Sequence, residues 1–295
     1  MASERVERIA VIGAGQMGSG IAQTCATAGY TVALCDLDEA RAQAARSRIE
    51  AALEKATARG KLSVQAASEA LARLQATNLP QALASADLVI EAVTEDPELK
   101  QRLFREIDAQ LPPGALIASN TSSISITQLA ACTHRPEQVI GLHFMNPVPI
   151  MKLVEIVLGE RTSEETHQRM QLLVQQLGKT AVVSKDRPGF IVNRVLIPLL
   201  NEACLTLQEG VASAEDIDAA VRLGLAHPMG PLELADLIGL DTVLAITEVM
   251  RTGLHSDKYQ APALLKEKVD AGHLGRKTGE GFYRYDERGT KLGNN

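Results

Sequence analysis

The sequence predicts an α/β protein: an amino-terminal doubly wound sheet with an inserted helical hairpin, followed by an all-α carboxy-terminal domain. Apolar segments of strand length alternate with helical segments up to about residue 184. A polar, alanine-rich tract at 39–78 interrupts this alternation, and the chain after Pro188 contains only helix-like segments. Because 295 residues are many for a single core, we predict two domains, 1–185 and 186–295.

Each element has its own sequence signal. The strands are apolar runs at ERIAVIGAG, YTVALCDLD, 87–93, 115–119, both arms of GLHFMNPVPIMKLVEIV, and 180–184. Helices are predicted at 16–28, 97–110, 126–131 and 163–178, and 39–78 is read as two antiparallel helices joined by a turn near Gly60. The hairpin formed by the two arms is expected to complete the sheet, with an antiparallel last arm. Helices at 190–209, 214–223, 231–250 and 261–271 form the second domain, before a polar tail containing GRKTGEGFYRY.

Composition narrows the class of protein. The net charge is -6, which argues against a nucleic-acid-binding or membrane-surface protein. The four cysteines have no CxxC spacing, and no apolar run approaches the ~18 residues that span a bilayer. We therefore expect a cytoplasmic protein without a bound metal. The segment FIVNRVLIPLLNEACLTLQ is apolar on nearly every face, which indicates a helix buried in a bundle or between subunits and predicts a homodimer through the helical domain.

The first strand leads into a glycine-rich turn, Gly13-Ala14-Gly15-Gln16-Met17-Gly18, which opens a helix. The first glycine allows the tight turn, the second lets the backbone approach a pyrophosphate, and the third lets helix and strand pack closely. The helix amino terminus then faces the phosphates. This arrangement predicts a Rossmann-like dinucleotide site at Gly13, Gly15, Gln16, Met17 and Gly18, although a purely structural glycine turn has the same spacing.

Asp36 follows the second strand, 18 residues after Gly18. A carboxylate at this place accepts hydrogen bonds from the adenosine ribose hydroxyls and repels a 2′-phosphate. It therefore favours NAD over NADP, with FAD or a methyl donor as alternatives on the same fold. Asp36 as the amino-terminal cap of the following helix is the structural alternative.

The hairpin carries one ionisable group on each apolar arm, His143 and Glu155, placed symmetrically about Pro149. If the arms pair in that register, the two side chains are cross-strand neighbours. A carboxylate that accepts the proton of one imidazole nitrogen fixes the tautomer and makes the other nitrogen a general base. A buried, structurally satisfied histidine is the alternative; beside a dinucleotide, the pair suggests an alcohol/ketone oxidoreductase.

The chain resembles the L-3-hydroxyacyl-CoA dehydrogenases, and is most similar to the stand-alone bacterial 3-hydroxybutyryl-CoA dehydrogenases. The similarity runs through VIGAGQMGSGIA, SNTSSI, GLHFMNPVPIMKLVEIV, KDRPGFIVNR and GRKTGEGFY, in family order over essentially the whole chain. It implies NAD-dependent, reversible oxidation of an (S)-3-hydroxyacyl-CoA, with short chains favoured, to the 3-ketoacyl-CoA.

The resemblance also implies roles for single residues. His143 is the general base or acid and Glu155 its orienting partner; Ser122 contacts the 3-oxygen of the substrate, and Asn193 positions the substrate from the helical domain. Glu95, Lys100, Asn146 and Lys277 match cofactor-contacting positions of the family. Alternatively, Ser122 and Ser123 cap the next helix, and Asn193 is a buried packing residue.

The inserted hairpin has a local positive excess, which suits the phosphates of a coenzyme A thioester. The family places coenzyme A contacts on this hairpin, and we expect Arg59 and Lys61 to supply them. The family's serine and lysine contacts are replaced here by Ala52 and Arg59. A solvated charged face is the alternative for each of these cations.

Two other functions remain open. A related dehydrogenase of free β-hydroxy acids would carry a catalytic lysine on the first long helix of the second domain, where this chain has GFIVNRVLIP. A non-catalytic dinucleotide-binding relative would be expected to have lost part of the set Ser122, His143, Glu155 and Asn193, all of which are present.

Overall fold

The computed structural model describes residues 6–292. The chain divides into two compact units, one ending at Arg187 and one beginning at Pro188. Each unit has its own apolar core.

The first unit is built on an eight-stranded sheet of order β3-β2-β1-β4-β5-β6-β7-β8. Its strands are β1 Arg8–Ile12, β2 Thr31–Cys35, β3 Leu74–Ala76, β4 Leu88–Glu91, β5 Leu116–Ser119, β6 Val139–Phe144, β7 Leu153–Leu158 and β8 Thr180–Lys185. Neighbouring strands are parallel except β6 and β7, which are antiparallel. The predicted α/β class and antiparallel arm are therefore confirmed. The hairpin does not complete the sheet, however, because β8 pairs with β7 and forms the edge.

Seven α-helices accompany this sheet in residues 6–187: α1 Gln16–Thr27, α2 Glu39–Ala58, α3 Val64–Ala72, α4 Leu79–Leu83, α5 Pro97–Gln110, α6 Ile126–Ala130 and α7 Glu164–Gln176. The inserted hairpin is α2 and α3, but its second helix was predicted to run too far. It ends at Ala72 because Leu74, which is 3% exposed, pairs with Val32 in the sheet. Asn78 then caps α4 by accepting from the Gln81 N–H.

The second unit contains five α-helices in its described residues: α8 Val192–Gln208, α9 Ala214–Gly224, α10 Pro231–Ile238, α11 Leu240–Leu254 and α12 Ala263–Asp270. The single helix predicted at 231–250 is wrong, since Gly239 adopts φ +101° and separates α10 from α11. Left-handed backbone of this kind interrupts the helical hydrogen-bond series and is readily adopted only by glycine. The core of the second unit joins α8, α10, α11 and α12. Its buried apolar side chains include Ile197, Leu200, Ala235, Leu240, Val243 and Leu265.

The polar tail is anchored to this unit by the buried carboxylate of Asp236 in α10. One oxygen accepts from the Phe282 N–H at 2.8 Å, and the other accepts from the Tyr283 N–H and the Tyr285 hydroxyl, each at 2.9 Å. Tyr283 and Tyr285 are themselves buried. The side chains of Tyr283 and Tyr285 are therefore part of the helical unit's core.

The structure bears on the cysteines and on the absence of a membrane-spanning segment that the sequence predicts. All four cysteines are free thiols, and Cys25, Cys35 and Cys204 are buried. Burial raises the pKa of the Cys25 thiol to about 12, so it stays protonated at neutral pH. Among the described residues, no helix has the length and hydropathy needed to cross a bilayer.

Candidate active site

The glycine turn lies between the carboxyl end of β1 and the start of α1. Gly13 adopts φ +103°, and a Cβ there would lie 2.5 Å from the Ala92 carbonyl oxygen. A Cβ on Gly18 would lie 1.7 Å from the Gly13 carbonyl oxygen, whereas one on Gly15 would meet nothing within 4 Å. The first and third glycines are thus required by packing, and the second leaves open space, as a backbone that receives a pyrophosphate requires.

Asp36 comes directly after β2, beside this turn. Its Oδ2 accepts from the Ala14 N–H at 2.6 Å, and its Oδ1 accepts from the Leu37 N–H at 2.8 Å. The amino-terminal cap of α2 is Asp38, which accepts from the Arg41 N–H, so the alternative reading of Asp36 as that cap is wrong. Asp36 therefore lies at the glycine turn with acceptor capacity left on both oxygens, in the place that suits an adenosine ribose.

Two side chains of the turn, Gln16 and Met17, and two outside it, Asn146 and Arg48, have defined contacts. Gln16 donates from Nε2 to Oδ1 of Asn146 at 3.1 Å, which links two residues predicted to contact the cofactor. Met17 packs against the core of the first unit. Arg48 donates from Nη2 to the Ala14 carbonyl at 3.0 Å. Arg48 is one of the cations of the inserted hairpin, and its contact with the turn was not predicted, because the hydrogen bond to Ala14 spans 34 positions of the sequence.

His143 and Glu155 are paired in the register predicted from their symmetry. His143 is 6% exposed and Glu155 0% exposed. Nδ1 of His143 lies 2.7 Å from Oε2 of Glu155. Because a carboxylate only accepts, Nδ1 carries a proton, and in the tautomer that has its only proton there, Nε2 is the acceptor.

Ser122 occupies the other side of the imidazole. Its Oγ lies 2.9 Å from Nε2 of His143 and donates to it in the tautomer set by Glu155. Ser122 and Ser123 do not cap the next helix, since Ser125 caps α6 by accepting from the Gln128 N–H. The structure thus brings together Ser122, His143 and Glu155 in one continuous hydrogen-bonded chain.

The Glu95 carboxylate accepts hydrogen bonds from the loop that carries Ser122. Its Oε1 accepts from the N–H groups of Ser122 at 2.9 Å and Ser123 at 3.0 Å, and from the hydroxyls of Thr121 and Ser123. Burial raises the pKa of Glu95, but the Lys100 ammonium and the hydroxyl donors outweigh burial and hold this pKa below its ordinary value. Glu95 is therefore a carboxylate at neutral pH.

Lys100 is only 1% exposed, although a lysine on a surface helix is usually solvated. Its Nζ lies 2.8 Å from Oε1 of Glu91 and 3.1 Å from Oε2 of Glu95. Glu91 was missed by sequence reasoning, since it is one charged residue at the end of an apolar strand. Direct contact of Glu95 or Lys100 with the cofactor stays a prediction.

Two predicted site residues belong to the second unit. Asn193 is the second residue of α8 and is 7% exposed. Nζ of Lys277 lies 2.6 Å from Oδ2 of Asp241, near the start of α11. Their proposed roles toward substrate and cofactor stay predictions.

The cations of the inserted hairpin fall into two groups. Arg46 and Arg48 donate to backbone carbonyls of the first unit, at 3.1 Å to Leu74 and 3.0 Å to Ala14. Arg59 and Lys61 instead line a cavity of about 630 Å³ between the ends of α1 and α2, the turn of the β6–β7 hairpin and the segment after α7. The other cations that line this cavity are Lys55, Lys152 and Lys179, and Leu53, Leu62 and Ile150 are among its apolar lining residues.

A glycine turn with an acidic residue after β2, combined with a histidine–carboxylate pair on the same sheet, is typical of a nicotinamide-dependent oxidoreductase. The chain matches the 3-hydroxyacyl-CoA dehydrogenase NAD binding domain over residues 8–187 and the 3-hydroxyacyl-CoA dehydrogenase C-terminal domain over residues 189–285. It therefore belongs to the 3-hydroxyacyl-CoA dehydrogenase family, and its cofactor is NAD.

Individual relatives are similar over almost their whole length. The chain is 50% identical over 286 residues to a 3-hydroxybutyryl-CoA dehydrogenase of Bradyrhizobium diazoefficiens, covering 97% of each chain. It is 48% identical over 283 residues to a probable 3-hydroxybutyryl-CoA dehydrogenase of Bacillus subtilis, covering 96% of this chain and 99% of the relative. Among solved structures, (S)-3-hydroxybutyryl-CoA dehydrogenase of Ralstonia eutropha aligns with a TM-score of 0.92 at 46% identity, covering 96% of this chain and 100% of that chain.

Proposed function

We propose that this protein catalyses the reversible, NAD-dependent oxidation of (S)-3-hydroxybutyryl-CoA to acetoacetyl-CoA, with His143 as the general base. The observation that carries the mechanism is the chain from Ser122 Oγ to His143 Nε2, 2.9 Å, and from His143 Nδ1 to Glu155 Oε2, 2.7 Å. The family and the names of its relatives support the substrate class.

Proton transfer follows from the tautomer. Nε2, which accepts from Ser122 Oγ, takes the proton of the substrate's 3-hydroxyl, and Ser122 Oγ donates to the same 3-oxygen once substrate is present. The imidazolium that forms keeps its Nδ1–H directed at the Glu155 carboxylate, which stabilises the new positive charge. In the reverse direction, the imidazolium returns the proton to the 3-oxygen.

When bound, NAD would accept the hydride from carbon 3 while His143 takes the hydroxyl proton, so that electrons and protons balance in the oxidation to the ketone. The contribution of the protein to this step is to hold NAD. The open space in front of Gly15 and the acceptor oxygens of Asp36 fit a pyrophosphate and an adenosine ribose, respectively.

The cavity lined by Arg59 and Lys61 suits the nucleotide end of coenzyme A. Its volume of about 630 Å³ lies in the range of small-molecule sites, and it combines an apolar lining with the cations Lys55, Arg59, Lys61 and Lys152, while the ammonium of Lys179 donates to the Val148 and Met151 carbonyls. Phosphate groups require such cations, and the pantetheine arm requires apolar contact. The departure from the family's serine and lysine, at Ala52 and Arg59, falls in the lining of this cavity.

Replacing Arg59 with alanine should raise the KM for acetoacetyl-CoA about 3- to 10-fold and leave kcat unchanged, because a phosphate contact remote from carbon 3 stabilises ground and transition states equally. Steady-state kinetics at low ionic strength measure both constants. With a pantetheine thioester that lacks the nucleotide, wild type and R59A should behave alike. Arg73→Ala, which removes an arginine paired with Glu69, is the matched control; an equal KM effect there would refute the assignment.

Replacing Glu155 with glutamine keeps an acceptor oxygen beside Nδ1 but removes the negative charge. His143 then becomes a weaker base, and we expect the acidic limb of the pH–rate profile for oxidation to move to lower pH, with kcat reduced about 10-fold or more. The profile of kcat against pH measures this. An unchanged profile would remove Glu155 from the catalytic chain.

Stereochemistry tests the substrate assignment directly. NADH formation is followed with (S)- and (R)-3-hydroxybutyryl-CoA and with free 3-hydroxybutyrate. We expect turnover with the (S)-thioester only. Turnover of the free acid at a similar rate would favour the related β-hydroxyacid dehydrogenases instead.

The assembly and the domain roles extend this proposal. We assign NAD binding to the first unit and substrate-site completion and homodimerisation to the second unit. Two apolar side chains at the start of α8 support an intersubunit role for this part of the helix, since Ile191 is 39% and Val195 68% exposed. Sedimentation of the purified protein measures the subunit number, and a monomer at micromolar concentration would contradict the dimer.

A further inference from the structure

A cluster of three charged side chains, two of them buried, lies beside the loop that carries Ser122. It consists of Glu91 at the end of β4, Lys100 in α5 and Glu95 between them, with Nζ of Lys100 2.8 Å from Glu91 and 3.1 Å from Glu95. Glu91 is 0% and Lys100 1% exposed. Removing charges from water is costly, and a hydrophobic set of similar volume is often equally stable, so this cluster calls for a role beyond stability.

Glu91 joins the ends of two neighbouring strands. It accepts from the Val93 N–H at 2.7 Å and from the Ser119 hydroxyl at 2.6 Å. The Ser119 Oγ in turn accepts from the Thr121 N–H at 3.1 Å. The end of β4 and the exit of β5 are therefore held at one anchor, to which the Lys100 ammonium is fixed.

Glu95 connects Lys100 to the loop that contains Ser122 and Ser123. Lys100 holds its Oε2, while its Oε1 accepts from the N–H of Ser122 at 2.9 Å and of Ser123 at 3.0 Å. The orientation of the carboxylate is thus fixed from both ends. The position of the Ser122 backbone, and with it the 2.9 Å contact from Ser122 Oγ to His143 Nε2, depends on it.

We propose that Lys100 is a positioning residue: acting through Glu95, it holds Ser122 against His143 and the reacting oxygen. This inference rests on the proposed function, in which Ser122 and His143 meet the substrate's 3-oxygen. It gives Lys100, which is 1% exposed, a role in catalysis that does not require contact with the substrate.

A double-mutant cycle tests the inference. Lys100→Met removes the ammonium and keeps the apolar stem, and we expect kcat for acetoacetyl-CoA reduction to fall about 10- to 100-fold, since small misplacements in an active site cost up to about that much. In a Ser122→Ala background, the same substitution should change kcat less than about 2-fold, because its target is already gone. The Kd for NADH should stay within about 2-fold of wild type in all four proteins.

Glu95→Ala provides a second cycle with Ser122→Ala, since Glu95 is partly solvent-exposed and its removal leaves the β4 anchor intact. Arg102→Met removes an exposed cation from the same helix and serves as the control, with no effect expected. Equal losses of kcat from Lys100→Met in both backgrounds would overturn the inference. So would a rise in the NADH Kd with unchanged kcat, which would make Lys100 a cofactor-binding residue.

A readout without turnover separates this inference from the proposed function. The imidazole resonances of His143 are followed by NMR in wild type, S122A, K100M and R102M. We expect K100M to shift them in the same direction as S122A, and R102M to leave them in place. Wild-type positions in K100M would overturn the inference whatever the substrate proves to be, whereas absent turnover by wild type would count only against the proposed function.

Discussion

Replacing His143 with alanine should lower kcat for 3-hydroxybutyryl-CoA oxidation by about 10²–10⁴-fold, the range that a positioned general base supplies. The imidazole is the group whose Nε2 is directed at Ser122 and whose Nδ1 is directed at Glu155. The Kd for NADH should change little, because the glycine turn and Asp36 are intact. Single-turnover kinetics and NADH titration measure the two effects separately.

Alanine at position 143 would also remove the hydrogen-bond donor of the buried Glu155, so a second variant is needed to separate loss of the base from loss of stability. Glutamine at position 143 keeps an N–H donor for Glu155 without supplying a base, so His143→Gln should retain the fold and still lose turnover. His255→Asn is the control, since His255 is exposed and its φ of +48° is one that asparagine tolerates. Turnover near the wild-type rate in either variant at 143 would show that another group takes the proton.

Replacing Gly18 with alanine should both destabilise the first unit and abolish NADH binding. The added Cβ would lie 1.7 Å from the Gly13 carbonyl oxygen and 2.9 Å from its carbon, and both atoms are backbone. The glycine turn has to open, so we expect the free energy of unfolding to fall by about 3 kcal/mol or more. Thermal unfolding and NADH titration follow the two changes.

Gly15→Ala is the matched comparison. Gly15 has φ -69°, which an L-residue adopts, and its Cβ would meet nothing within 4 Å. Stability should stay within about 1 kcal/mol of wild type, the cost of changing a helix cap. NADH binding should nevertheless weaken at least about 10-fold, because the methyl group occupies the space that the pyrophosphate requires. Unchanged NADH affinity in G15A would mean that this backbone does not contact the cofactor.

Much of this architecture could be predicted because buried strands and helices require apolar residues at regular intervals in the sequence. The β1 and β4 strands are apolar runs bounded by turn residues, and the pairing of His143 with Glu155 followed from equal spacing about Pro149. Very short elements and local breaks do not change this pattern enough to be recognised. β3 has only three residues, and the break at Gly239 lies inside an amphipathic pattern that continues on both sides.

The cluster of Glu91, Lys100 and Glu95 could not be predicted for a different reason. Charged side chains in sequence are ordinarily assigned to the surface, and only the adjacency of β4, β5 and α5 places these three together. The same holds for Arg48, whose distance of 34 positions from Ala14 conceals their hydrogen bond. Long-range polar contacts depend on the completed fold, and a single sequence does not specify them.

The most direct test of the central claim is the loss of nicotinamide absorbance when the purified protein receives NADH and acetoacetyl-CoA. Free acetoacetate with NADH, and acetoacetyl-CoA with NADPH, are the parallel reactions. We predict rapid oxidation of NADH with the thioester, and slow or no reaction in both parallels, because Asp36 repels a 2′-phosphate and the free acid lacks the coenzyme A contacts. Tight NADH binding without any oxidation by acetoacetyl-CoA would contradict this account and identify a non-catalytic dinucleotide-binding protein.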